Sequence, residues 1–422
     1  MTASRSESET AQKAARILSI DALRGIVMFT MIFVNDLAGV SPTLIPWWMR
    51  HFKADGNGMT FVDLVFPAFL VLVGMSIPFA LDSRLRRGEP IRRTLLHILA
   101  RTASLLLIGV LMVNESPDAT QMGWSPALWT LLMYGSALLA FCDFVPSKSK
   151  RGDCVATSRV KWIQRFLQAS AFLTLAVLAW TFRASDGHRI IQLDPFSIHT
   201  EWYGILGLIG WAYLVAAGVF LVFRHHRTAL LGSIVLLFCL YPADRAGLFR
   251  NFWLSHYVGI GETLGSQAAI SVAGVLLASR IASGGSKNEL LRFTLLFIAA
   301  CAAAALLLHG LYGINKNSAT PSWCLWACAI TAAMWLTLHW TCDKETPDRI
   351  SRSLVLAGGN VLLPYLLSEM LPSALDLLGL SAGYGRIGEL GLGAAIARSG
   401  GCALLILAFS VQLNRSGFRM RL

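Results

Sequence analysis

About twelve stretches of this sequence stay apolar for close to 20 residues, long enough for a helix to cross the roughly 30 Å hydrocarbon core of a bilayer. They run over residues 17–39, 60–82, 94–113, 125–145, 162–182, 202–223, 228–243, 262–281, 291–313, 321–341, 353–378 and 391–412. A chain built this way has too much apolar surface for one water-soluble core. Of its 422 residues, 55% are hydrophobic and only 14% are charged; soluble domains carry roughly 25% charged residues. The expected fold is all-α, a polytopic bundle of membrane-spanning helices. The seventh stretch is short, and Pro242 is expected to end it.

The connections between the stretches alternate in charge. Basic residues collect in SRLRRGEPIRR, KSKRGDCVATSRVK, RHHR, SRIASGGSKNELLR, CDKETPDRISR and the tail NRSGFRMRL. With the leading MTASRSESETAQKAAR, these segments hold about 24 of the 36 Lys and Arg; the intervening connections hold about 8. The positive-inside bias then places both termini in the cytoplasm. A missed or invented helix would scramble the alternation beyond the error. The expected organisation is a polar tail over 1–16, one transmembrane domain over 17–412 and a basic tail over 413–422. The leading segment has no apolar run before a small-residue cleavage site, so no secretory signal peptide is expected. A membrane location, crossed many times, is expected.

The net charge of +12 does not imply nucleic acid, because the basic residues are dispersed and form no patch interleaved with aromatics. The eight Cys lie mostly in apolar stretches, without a CxxC pair or a disulfide framework. No His/Cys/acid spacing suggests a metal site. Membrane lipid is the one partner composition implies directly.

Several polar residues do not belong in lipid, where an ionisable side chain costs roughly 2.5–3.5 kcal/mol. ILSIDALRGIVMFTMIFVND carries Asp21 and Arg24 three residues apart, on one helix face. They read either as an ion pair pinning the start of the helix or as the polar floor of a cavity. Asn35 lies roughly 16 Å further along that helix. The loop that follows contains His51 as its only histidine, and the next helix opens with Asp63, with Pro67 placed to kink it. Asn35, His51 and Asp63 thus fall near one membrane face. A neutral His can accept a proton there, a carboxylate can orient it, and an amide can donate to an oxyanion. Arg101 and Asn114 in RTASLLLIGVLMVN, Lys316 in GINKNSATPSW, and Asn360, Tyr365 and Glu369 in GGNVLLPYLLSEM complete the outliers. Together they argue for a hydrated or ligand-filled interior.

These segments also carry a family resemblance. SIDALRGIVMFTMIFVND, a His-bearing loop, DLVFPAFLVLVGMSI, RTASLLLIGVLMVN, INKNSATPSW and GGNVLLPYLLSEM occur in that order between about residues 16 and 370. The set closely resembles the transmembrane heparan-α-glucosaminide N-acetyltransferases and their bacterial relatives. EWYGILGLIGWAYL is similar to a segment of the bacterial members. The wider group of polysaccharide O-acyltransferases places a His in the first helix where this chain has Asn35.

The resemblance implies transfer of an acetyl group from cytosolic acetyl-CoA to an amino sugar or cell-envelope glycan on the outer side. It maps the motif His onto His51 and the motif Asn onto Asn35, with Asp63 beside them; the stretch from His51 to Asp63 is slightly longer than the family pattern. Transfer through acetyl-His and direct transfer both remain open. CoA's phosphates cannot cross lipid, so they are expected at the inner mouth near Arg84, Arg86, Arg87, Arg92 and Arg93. Asp21, Arg24, Arg101, Asn114, Lys316, Asn360, Tyr365 and Glu369 are expected to line the donor and acceptor paths. No metal cofactor is expected, and the oligomeric state is open, a homodimer being one option. The alternative function is a multi-pass transporter of a small polar solute such as a sugar.

Overall fold

The computed structural model describes residues 17–114, 117–144, 158–193, 196–198, 203–284, 286–343 and 349–420. Its helices are α1 Leu18–Leu37, α2 Val65–Arg86, α3 Ile91–Val113, α4 Pro126–Ala140, α5 Ser158–Thr181, α6 Gly204–Phe223, α7 Arg227–Arg245, α8 Ala268–Ala282, α9 Lys287–Tyr312, α10 Pro321–Cys342, α11 Arg349–Ala357, α12 Leu362–Leu377, α13 Ser381–Glu389 and α14 Leu392–Arg415. Among the described residues, 10 helical segments are long and apolar enough to cross a membrane, or 11 if α11 and α12 count as one bent span. The chain is an all-α, multi-pass membrane protein. Short antiparallel pairs join β1 Cys142–Phe144 to β4 Phe418–Met420 and β2 Ile191–Leu193 to β3 Phe196–Ile198. The leading segment 1–16 and most of KSKRGDCVATSRVK lie outside the described residues.

Every expected stretch has a helical counterpart, with three differences. The fourth, α4, has 15 residues, short of the length a perpendicular span requires. The eleventh is broken: α11 and α12 meet at 72° across Gly358, Gly359 and Asn360. Two consecutive glycines weaken the helix there, and Pro364 falls in the first turn of α12, where its missing N–H is not needed. The seventh does not stop at Pro242 but runs on to Arg245. A proline that close to the end removes one bond from the last turn, which is too little to terminate the helix. Pro67 likewise sits in the first turn of α2, and Pro78 is the proline inside that helix.

The described chain divides into two compact units. One takes the described parts of Met1–Val27, His51–Ala103 and Leu208–Leu356; the other takes Met28–Arg50, Ser104–Gly207 and Ala357–Leu422. The first unit is built around α8. The segment Ile260–Ala282, which opens as a π-helix over Ile260–Gln267, buries most of its apolar stretch, whereas α9 leaves most of its own exposed. A helix that is apolar all round and enclosed is a bundle core; one that leaves Leu296, Leu306 and Leu307 exposed presents them to lipid. α8 crosses α2 closely because Gly74 faces the Ser271 backbone and Gly274 faces Val71; a Cβ at either position would collide with main chain. Small residues at such crossings let helices approach in a membrane. Ser271 Oγ donates across the contact to the Leu70 carbonyl at 2.9 Å.

In the second unit, α4 packs on α5 and α12, and α14 packs on α12 and α13. Asp36, near the end of α1, ties these elements together. Its carboxylate accepts from Tyr384 Oη at 2.7 Å, Ser399 Oγ at 2.6 Å and Arg398 Nε at 3.2 Å.

Candidate active site

Asp63 is positioned by local sequence. It lies in the 3-10 turn Val62–Leu64 that leads into α2, with its side chain 2% exposed. Thr60, three residues earlier, donates to Oδ2 through its amide at 3.0 Å and through its hydroxyl at 3.3 Å. The amide of Phe52 adds a third donor at 3.0 Å. A buried carboxylate needs that many donors to offset its lost hydration. The remaining oxygen, Oδ1, faces His51 Nδ1 at 2.8 Å and Lys316 Nζ at 3.5 Å.

An ionised carboxylate can only accept, so the Nδ1 proton belongs in the 2.8 Å contact. His51 Nε2 is then left with the lone pair. The imidazole is 49% exposed and borders a cavity of about 250 Å³, lined also by Phe52, Lys53, Gly58, Lys316 and Asn317. Lys316 Nζ lies 3.0 Å from the same His51 Nδ1. Burial draws the Lys316 ammonium below the ordinary lysine pKa, and the nearby Asp63 carboxylate opposes that shift.

Lys316 reaches the dyad because two loops are locked together. The His51 loop and the segment INKNSATPSW exchange backbone and amide bonds. Gly58 N donates to Ile314 O at 2.8 Å, and Ile314 N donates to Asn57 Oδ1 at 2.8 Å. Asn315 Nδ2 donates to Ala54 O at 2.6 Å, while its Oδ1 accepts from Ser318 N at 2.9 Å. Gly313 begins the clamp with φ +64°, and Asn57 fills the space a side chain would need there. The sequence singled out His51 and Asp63 together with Asn35, and Lys316 apart from them; the fold brings His51, Asp63 and Lys316 together. It did not single out Thr60, Asn57 or Asn315 as supports, although the paired asparagines around Lys316 were a visible signal.

The other sequence-derived candidates have the following partners. Arg24 pairs with Asp21 at 2.6 Å and also reaches Ser76 Oγ on α2, so the pair fastens α1 to α2. The Arg101 guanidinium lies 4.8 Å from the centre of the Tyr213 ring, a cation–π contact between α3 and α6. Asn35 belongs to the second unit, where its Nδ2 faces Glu369 Oε1 at 3.4 Å. Asn114 caps α3 through the Val110 carbonyl at 2.8 Å, and Asn360 donates to Asn414 at 3.0 Å. Tyr365 is buried in α12. Of the arginines expected to meet phosphate, Arg84 is engaged by Glu89 and His97.

A second histidine–carboxylate pair was not foreseen. His339 Nδ1 is 2.8 Å from Asp343 Oδ2, and Asp343 also accepts from the Ser19 amide at 2.9 Å and its hydroxyl at 2.5 Å. Burial pushes the Asp343 carboxyl upward, but these hydrogen bonds outweigh it and hold the group below its ordinary range. Trp335 donates to Ser19 Oγ at 3.1 Å and stacks on His339. This pair caps the start of α1.

Residues 16–186, which include His51 and Asp63, match the family described as Domain of unknown function (DUF5009). Over 109 residues the chain is 37% identical to human heparan-alpha-glucosaminide N-acetyltransferase, covering 26% of this chain and 15% of that protein. The chain is related to these acetyltransferases. The mouse protein of the same name is 34% identical over 117 residues, covering 28% of this chain and 17% of its own length. This chain therefore covers about a sixth of the length of the relatives it matches.

Proposed function

We propose that this chain is a membrane acyltransferase that moves an acetyl group from acetyl-CoA to the amine of a glucosamine-like sugar or cell-envelope glycan. The observation that carries this reading is the His51–Asp63 dyad, a half-open imidazole held by a buried carboxylate beside a cavity. The similarity to the human and mouse N-acetyltransferases supports the same reaction class. In the proposed reaction the acceptor nitrogen attacks the thioester carbonyl carbon while His51 Nε2 takes its proton. The tetrahedral intermediate then collapses, the C–S bond breaks, and CoA leaves as a thiolate that takes up a proton. Asp63 fixes the imidazole tautomer. The Lys316 ammonium offsets the negative charge that develops on the oxyanion or the thiolate. A covalent route would use the same Nε2 as nucleophile, with acetyl-His51 as carrier.

The charge alternation of the loops supports a site that opens away from the cytoplasm; the inner membrane of a bacterium is the proposed location. The test is incubation of detergent-purified protein with isotopically labelled acetyl-CoA and a panel of amino sugars, followed by mass spectrometry. The expected result is a labelled N-acetyl sugar that disappears with His51→Ala. Failure to transfer or hydrolyse any label would overturn the reading.

A further inference from the structure

Two primary amines, Lys53 and Lys316, line the cavity beside His51. They are held differently. Lys53 is exposed. Lys316 keeps only 30% of its side chain exposed, and its backbone is fixed. The Lys316 carbonyl accepts from the Ala319 amide at 3.0 Å, and the Asn315 carbonyl accepts from the Thr320 amide at 3.1 Å. Thr320 Oγ1 accepts in turn from the Asn315 amide at 3.0 Å. Ala319 closes this ring with φ +44°, and among the described residues it is the one non-glycine residue with a positive φ. That conformation is costly for a residue with a Cβ, and it persists where the surroundings over-determine it. Ala319 is fully buried. The loop therefore holds Lys316 Nζ on the cavity wall and does not let it swing away.

An amine is a nucleophile only when it is neutral. Burial draws the Lys316 ammonium below the ordinary lysine pKa, against the opposing pull of Asp63. Geometry acts in the same direction. Nζ lies 3.0 Å from His51 Nδ1, the nitrogen whose proton points to Asp63. A neutral amine can accept from that N–H, whereas an ammonium has only hydrogens to offer it. The amine form is thus within reach at mildly alkaline pH, where an ordinary exposed lysine stays protonated.

We propose that Lys316 Nζ is a self-acetylation site, at which the chain captures an acetyl group from a donor held beside His51 when no acceptor fills the cavity. Naming acetyl-CoA as the donor rests on the acyltransferase reading. The lone pair of neutral Nζ attacks the thioester carbonyl carbon, and the tetrahedral intermediate collapses with cleavage of the C–S bond. The departing thiolate takes up the proton that Nζ releases, leaving an amide and free CoA. The amide carries no charge, so it cannot offset the oxyanion or thiolate of a later turnover. Self-acetylation is therefore inactivating.

The experiment incubates the full chain in detergent, without acceptor, with acetyl-CoA or with p-nitrophenyl acetate, a small ester that needs no recognition of CoA. Peptide mass spectrometry follows acetylation of Lys316, Lys53 and the exposed Lys287 at about pH 7 and about pH 9. Lys316 should be acetylated roughly 10-fold or more faster than the other two, because the donor is held beside it, and faster at the higher pH. Transfer to the amino-sugar panel should then fall in proportion to Lys316 occupancy. Lys316→Arg, which keeps a cation that does not deprotonate, should hold its own starting activity through the same preincubation; Lys53→Arg should lose activity as wild type does. If p-nitrophenyl acetate modifies Lys316 first but acetyl-CoA modifies nothing, the self-acetylation site stands and the CoA-dependent reading falls. If acetyl-CoA acetylates a sugar while Lys316 stays unmodified, the proposal is overturned and the acyltransferase reading stands. Acetylation of Lys316 no faster than that of Lys53 and Lys287 by either donor also overturns it, and full activity at high Lys316 occupancy would overturn the inactivation.

Discussion

Two carboxylates, Asp63 and Asp36, anchor polar clusters in this chain, and they are arranged for different ends. Asp36 meets Tyr384, Arg398 and Ser399, and the cluster is closed: the Arg398 side chain is 5% exposed and that of Asp36 12%. Arg398 donates to the Asp36 carboxylate and to its carbonyl, and lies 4.6 Å over the Tyr384 ring. Asp63 is buried more deeply still, but its partner His51 is half exposed and borders a cavity. The comparison teaches that burial of the acid does not mark a reactive site. What marks it is a titratable partner held on one edge and open on the other. Asp36 and Arg398 satisfy each other and hold α1 to α14; Asp63 leaves His51 Nε2 free to act.

This contrast predicts opposite responses to mutation. His51→Ala should reduce acetyl transfer by about 10² to 10⁴, while chemical unfolding in detergent shifts little. If that variant unfolds the protein instead, His51 is a structural residue like Arg398 and the distinction collapses. Arg398→Ala should do the reverse, costing about 3–5 kcal/mol of stability by leaving the Asp36 charge buried alone. Unchanged unfolding of Arg398→Ala would show that the second cluster is not what holds those helices.

Lys316→Met should lower transfer by roughly 10- to 100-fold, the worth of a hydrogen bond to a charged group, without loss of folded protein. The pH profile sharpens this. Burial lowers the Lys316 pKa from its ordinary 10.5, so the ammonium is complete at low pH and is lost as pH rises through that depressed value. The rate should therefore fall on the alkaline side before 10.5, and Lys316→Arg should carry activity to higher pH. An identical alkaline limb in both proteins would remove Lys316 from the chemistry. Tyr384→Phe is the smallest effect, about 1 kcal/mol of stability from one neutral hydrogen bond, with transfer per folded molecule unchanged.

Much of the site was legible because its first two members are neighbours in the chain. His51 and Asp63 are separated by one short loop, and a lone histidine before a helix-opening aspartate is visible without coordinates. Lys316 was visible too, but only as an outlier in a polar loop. Its meeting with Asp63 depends on Asn57 and Asn315 bonding across more than 250 residues of chain. Asp36 shows the limit from the other side. It follows Asn35 directly, yet its partners Arg398 and Ser399 lie 362 and 363 residues away. Nothing in a local pattern pairs them.

The helices themselves were determined by the sequence, because in lipid a backbone must bond to itself and an apolar run of sufficient length has no better choice than a helix. The break at Gly358–Gly359 was likewise written locally, in two glycines followed by a first-turn proline. Tertiary structure decided what local bonding does not reach: the Gly74–Gly274 crossing and the clamp that delivers Lys316. Those contacts depend on which faces of distant helices pack together. That choice is set by shape and charge complementarity across the fold, not by the preference of any single segment.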